Sequence, residues 1–199
     1  MSTVQDTTET PADAPWRDVD FSKLPDPDVS GITLHARGPE GMRATLRCTT
    51  ATVEGKHMLK VGHFARHTVM CDEGPMIGGD DAYPPPIAYM ALGMGFCLLT
   101  QIGRYASMKK VAYTRAECDV ELDLGITGSV LRGDVAAACH GARTVLRVES
   151  DADPAAILDV VTLAKRGCFG EAMLREPVHM GSTIFINGEP IDIEGITTT

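Results

Sequence analysis

The 199-residue sequence is most informative at first through what it lacks. None of its six cysteines (48, 71, 97, 118, 139, 168) forms a CxxC pair, and none has the tight spacing of a structural zinc site. No basic stripe interrupts a formal net charge of −9, which argues against nucleic acid and against an anionic membrane surface as partners. No run approaches the ~18 consecutive apolar residues of a membrane span. The first fifteen residues, MSTVQDTTETPADAP, have neither a basic n-region nor an apolar h-region. A cytoplasmic location with reduced thiols is therefore expected. The glycine pair in IGGDD lacks GxGxxG spacing, and its two aspartates would repel phosphate.

What is present is ordinary for a globular chain: 44% hydrophobic and 23% charged residues, enough to bury a core without disulfides or metals. Residues 1–30 hold seven acids and two bases, and so carry −5 of the net charge. They read as an acidic flexible N-terminal arm, anchored only by Trp16, Val19, Phe21 and Leu24, ahead of a single domain over 31–199. From Gly31 the alternation of ITLHAR, MRATLRCTTATV and HMLKVGHFARHTVMC predicts an antiparallel meander. A proline-rich loop follows, then a helix from Pro86 through IAYMALGMGFCLLTQIGRYASMKK. That helix is apolar all round, which predicts burial on every side, and Gly93 and Gly95 suggest a closely approaching backbone. Strands are expected over 111–124 and 142–150. A second helix should start at Asp153-Pro154 and end near Glu176, before a short closing strand. Strands in blocks with interposed helices predict an α+β fold.

Cys97 falls in the middle of the first helix and Cys168 late in the second, 71 positions apart. A cysteine on an apolar helical face is by default a small buried hydrophobe. The sharper reading is a redox pair, and spacing alone does not decide between them.

The ordered segment GGDDAYPPPIAYMALGMGFCLLTQIGRYASMKKV, followed by DPAAILDVVTLAKRGCFGEAML, resembles the two cysteine helices of the OsmC/Ohr superfamily. The resemblance runs from about Gly31 to the C-terminus. It implies an OsmC-like α+β fold with antiparallel sheets wrapped around two long helices in an intertwined homodimer. It also implies a cysteine-based peroxidase, active in oxidative stress, that reduces organic hydroperoxides. In that chemistry a Cys97 thiolate attacks the peroxide, Cys168 resolves the sulfenic acid as a disulfide, and an external dithiol restores both. No cofactor or metal is implied. Because burial raises a thiol pKa, Cys97 needs a cation. By resemblance this is an arginine of the early hairpin: Arg37 first, then Arg43, then Arg47.

Two positions depart from the pattern. Ile87 stands where the peroxidase branches carry a Glu that holds the arginine, with Glu73 or Asp72 as substitutes from the loop. Phe169 follows Cys168 where proline is usual. These departures point to a less characterised OsmC-like branch, and to an alternative function: a non-catalytic dimer that binds a small apolar ligand or senses redox state. A hot-dog thioesterase would need a carboxylate on the first helix, and none occurs between Ile87 and Gln101. His63, His67 and Cys71 share a spacing of four, but on a strand that separates them by ~13 Å per step. They are read as strand residues and not as a zinc site.

Overall fold

The computed structural model describes residues 31–38, 41–176, 178 and 184–191. The expected N-terminal arm lies outside the described residues. The fold is α+β, with every sheet antiparallel. It divides into two compact units, one through Pro86 and one from Ile87.

In the first unit, β1 (Ile32–Gly38) pairs with β2 (Gly41–Leu46). The expected long strand MRATLRCTTATV breaks at Arg47-Cys48, and β3 (Thr49–Val53) starts a separate three-stranded meander with β4 (Lys56–Phe64) and β5 (His67–Cys71). At the β4–β5 turn Ala65 takes a left-handed conformation, so one expected stretch becomes a tight hairpin. Among the described residues of this unit no large hydrophobic side chain is fully buried, and Ile32, Leu34, Met42 and Leu46 are all exposed. The loop after β5 is ordered by Asp72, which is 2% exposed and accepts from the N–H groups of Asp80 and Ala82 at 3.1 Å each. The N–H groups of Glu73 and Ala82 hold its carboxyl below the usual carboxylate range, against the opposing effect of burial. Asp80 instead pairs with Lys56 on the surface.

The second unit contains the core. Helix α1 (Pro86–Lys109) buries Met94, Gly95, Leu98, Gln101, Ile102 and Ala106. By length and composition, with a mean hydropathy of 1.4, it could cross a bilayer. Here its stripe of Leu98, Ile102 and Ala106 instead packs against Val160, Ala164 and Cys168, with Cys118 and Leu146 from the sheet against them. Full burial all round is not observed. Leu92 and Phe96, on the other side of α1, are 45% and 65% exposed, because no described element of this unit covers that face. Gly93 has no atom within 4 Å of where a Cβ would stand. Gly95 is the glycine that approaches a strand, near Cys118 and Val120.

Strands β6 (Arg115–Thr127) and β7 (Ala136–Glu149) form a long hairpin. The segment 136–141, read from sequence as ambiguous, belongs to β7. The pairing shifts between Asp123↔Gly141 and Leu124↔Cys139, leaving His140 as a bulged residue. The His140 ring lies over Gly125, where a Cβ would displace it. The expected second helix is two helices. The first, α2 (Pro154–Arg166), is capped by the Asp153 side chain on the Ala155 N–H and ends at Gly167; α3 (Phe169–Arg175) restarts after Cys168. At this break Lys165 and Arg166 fill the last turn ahead of Gly167, and the Tyr105 hydroxyl stands where a Cβ on Gly167 would be. The chain closes with β8 (Ile184–Ile186) and β9 (Glu189–Ile191), joined by an Asn187-Gly188 turn with both residues at positive φ.

Candidate functional site

The break between α2 and α3 places Cys168 at the N-cap of α3, 1% exposed, with its side chain in the core. Cys97, half-buried on α1, packs against that core. The structure therefore brings together the two cysteines that spacing alone could not join. Burial pushes the Cys168 thiol above its ordinary pKa. The N–H groups of Glu171 and Gly170 pull the other way without closing a capping hydrogen bond, and the neighbouring Cys97 thiol raises it further. The neutral thiol of Cys168 is thus favoured at physiological pH.

Beside Cys97 opens a cavity of about 580 Å³. Its walls are Ile87, Met90, Gly93, Met94 and Cys97 from α1, then Leu122, Leu124, Ala137, Ala138 and Cys139 from the hairpin. Gly170, Met173 and Leu174 from α3 complete it. The volume is within the roughly 300–1,000 Å³ of small-molecule sites. No carboxylate lines it among the described residues, and Ile87 contributes an alkyl surface. Cys139 is the residue that sequence reading missed, because its strand was not recognised. The bulge at His140 sets it opposite Leu124, on the same cavity as Cys97.

Next to this cavity a polar cluster forms at the start of α3. Glu171, buried, accepts from Lys165 Nζ at 2.6 Å and from the Thr144 hydroxyl at 3.2 Å. Lys165 also donates to Thr144 at 3.0 Å. Burial raises the pKa of the nearby Cys118 thiol, with the Glu171 charge adding to it and Lys165 opposing it.

The candidate arginines belong to the first unit. Arg37 is exposed on β1 opposite Met42, and Arg43 is half-buried on β2 opposite Ala36. Arg47 follows β2 and donates its backbone N–H to Gly31 O at 3.0 Å. The loop carboxylates have partners in that same unit: Asp72 orders the loop, and Glu73 pairs with Lys60 at 3.2 Å. His63 and His67 lie on opposite strands of the β4–β5 hairpin, and His63 is hydrogen-bonded to Thr68 at 3.1 Å. Among the described residues no group of three or more His, Cys, Asp or Glu side chains is placed to hold a metal ion.

Solved structures share this fold at low identity. An OsmC-like protein from Mycoplasma pneumoniae is 12% identical, with a TM-score of 0.54 over 65% of this chain and 86% of its own. An organic hydroperoxide resistance protein OsmC from Legionella pneumophila is 15% identical, with a TM-score of 0.51 over 67% and 92%. An osmotic stress induced and detoxification response protein from Psychrobacter arcticus is 12% identical, with a TM-score of 0.51 over 65% and 88%. At such identities the likeness concerns the fold. No curated protein gives a significant match. The profile of the family described as OsmC-like protein matches residues 78–182, more than half of the chain and inclusive of both cysteine helices. With its α+β fold and this match over more than half of its length, the chain belongs to the OsmC-like protein family.

Proposed function

We propose that the protein is a thiol-dependent peroxidase for organic hydroperoxides. The observation that carries this reading is the pairing of two free thiols at one wall of an apolar cavity, Cys97 facing the cavity and Cys168 behind it in the core. A Cys97 thiolate attacks the peroxide O–O bond, giving a sulfenic acid and, after protonation, an alcohol. Cys168 then displaces hydroxide, which leaves as water with the Cys168 proton, and a Cys97–Cys168 disulfide forms. An external dithiol reduces it by two thiol–disulfide exchanges. Apolar walls suit the alkyl portion of the substrate and exclude competing water. Arg37, on β1, is the cation assigned to Cys97, with Arg43 and Arg47 as the other candidates.

The protein acts as a homodimer in this reading. Its support is the uncovered apolar face of α1 at Leu92 and Phe96, together with the open Ile32, Leu34, Met42 and Leu46 of β1–β2. Two copies packed through α1, with each hairpin laid on the other copy, would cover both surfaces.

The test is mass mapping of disulfides after one equivalent of cumene hydroperoxide, with peroxide consumption followed in the presence of a dithiol. A Cys97–Cys168 bond that forms as peroxide disappears, and a loss of turnover in Arg37→Ala, support the assignment. Reduced thiols and unchanged peroxide refute it. The alkyl side chain of Ile87 in the cavity, where peroxidase relatives carry a Glu, favours one second reading: a dimer that binds a small apolar ligand without turning it over.

A further inference from the structure

We infer that the site takes an amphiphile with an anionic head, a medium-chain alkyl carboxylate, and that Arg175 is the residue that binds the head. The inference rests on the cavity assigned to the substrate above and names the class of molecule that fits it. The 580 Å³ apolar cavity is continuous in its lining with a second one of about 270 Å³, since Met94 and Leu174 belong to both. The second carries charged side chains that the first lacks: Arg143, Lys165 and Arg175 against the single carboxylate of Glu171.

Two of the three cations in the smaller cavity have a carboxylate partner. Arg143 is held by Glu121 through two hydrogen bonds, at 2.9 and 2.6 Å. Lys165 neutralises the buried Glu171. Among the described residues Arg175, an exposed side chain, donates to the Lys165 carbonyl at 3.5 Å and has no acidic partner. Its remaining guanidinium donors are available, in a geometry that matches a carboxylate bidentately. Leu174, its neighbour on α3, faces both cavities. A chain lying across Leu174 and Met94 would therefore have its alkyl part beside Cys97 and its head at Arg175. A neutral alkyl compound would fill only the first cavity.

Isothermal titration of the reduced, full-length protein with decanoate and with 1-decanol tests this. Decanoate is expected to bind about tenfold more tightly than decanol, the difference that a charge-assisted bidentate contact supplies. Added salt should weaken decanoate alone. Arg175→Gln should bring decanoate to the affinity of decanol and leave decanol unchanged, and Arg175→Lys should recover part of the difference. Equal affinities in the wild type, wild-type affinity for decanoate in Arg175→Gln, or no binding of either compound overturns the inference. The titration involves no turnover. Decanoate binding without peroxide consumption would count against the peroxidase reading alone, and peroxide consumption without selective decanoate binding against this one alone.

Discussion

Gly170, at the start of α3, lies against the backbone of Met94 on α1: a Cβ built on it would stand 2.9 Å from Met94 Cα. Both residues line the apolar cavity, so this contact sets the distance between the two cysteine-bearing segments and the width of the site. A methyl group here meets backbone, which cannot swing aside. Gly170→Ala is expected to destabilise by about 1–3 kcal/mol, as overpacking does, lowering Tm by several degrees. Gly93→Ala, with no atom within 4 Å of the added methyl, should leave Tm unchanged or raise it. Thermal melts of the two variants side by side check this.

The raised pKa of Cys168 has two measurable consequences. Between pH 7 and 9 its alkylation by iodoacetamide should lag well behind that of the exposed Cys48 and Cys139, as mass spectrometry of the labelled protein will report. A thiol whose folded pKa lies above its unfolded value contributes stability that is complete below the unfolded pKa of about 8.5. That contribution is lost as pH rises through the folded value. The alkaline limb of the stability curve should accordingly flatten in Cys168→Ser.

Asp72 works in the opposite direction, because its folded pKa is lowered. Its contribution is present above the unfolded value of about 3.9 and is lost as pH falls through the folded one. Asp72→Asn should make the acid limb of the stability curve shallower. It should also loosen the loop that Asp72 ties to Asp80 and Ala82, so that limited proteolysis near neutral pH cuts between Gly74 and Tyr83 faster than in the wild type. Unchanged cleavage would show that the loop is held by other contacts.

Phe96, 65% exposed on α1, is the sharpest test of the proposed dimer. Light scattering on a sizing column should give twice the chain mass for the wild type and the single chain mass for Phe96→Asp, because a carboxylate buried without a partner is costly. A wild-type protein that runs as one chain refutes the dimer.

Much of this architecture could be read from local pattern. Helix α1 starts at the expected proline, since Pro86 suits a first turn, and the alternating segments before it form antiparallel strands. Chemistry was legible where a residue type stood out against its surroundings, as Cys97 and Cys168 do in apolar helices. The reading stopped where the deciding contact is distant in sequence. Gly167 is itself a local stop signal for α2, but nothing local shows that the Tyr105 hydroxyl, 62 positions earlier, packs against it. Segment 136–141 is small and weakly alternating, and it becomes strand only because β6 continues to pair with it across the bulge at His140.

By itself, then, the sequence determined the α+β class, the order of the main elements and the two cysteines worth watching, because each depends on periodicity and residue type within one segment. Tertiary structure alone decided that Cys168 lies beside Cys97, that Cys139 shares the Cys97 cavity, and that Arg175 lies near it with no acidic partner among the described residues. These are relations between segments, made by packing, and local periodicity carries no record of them.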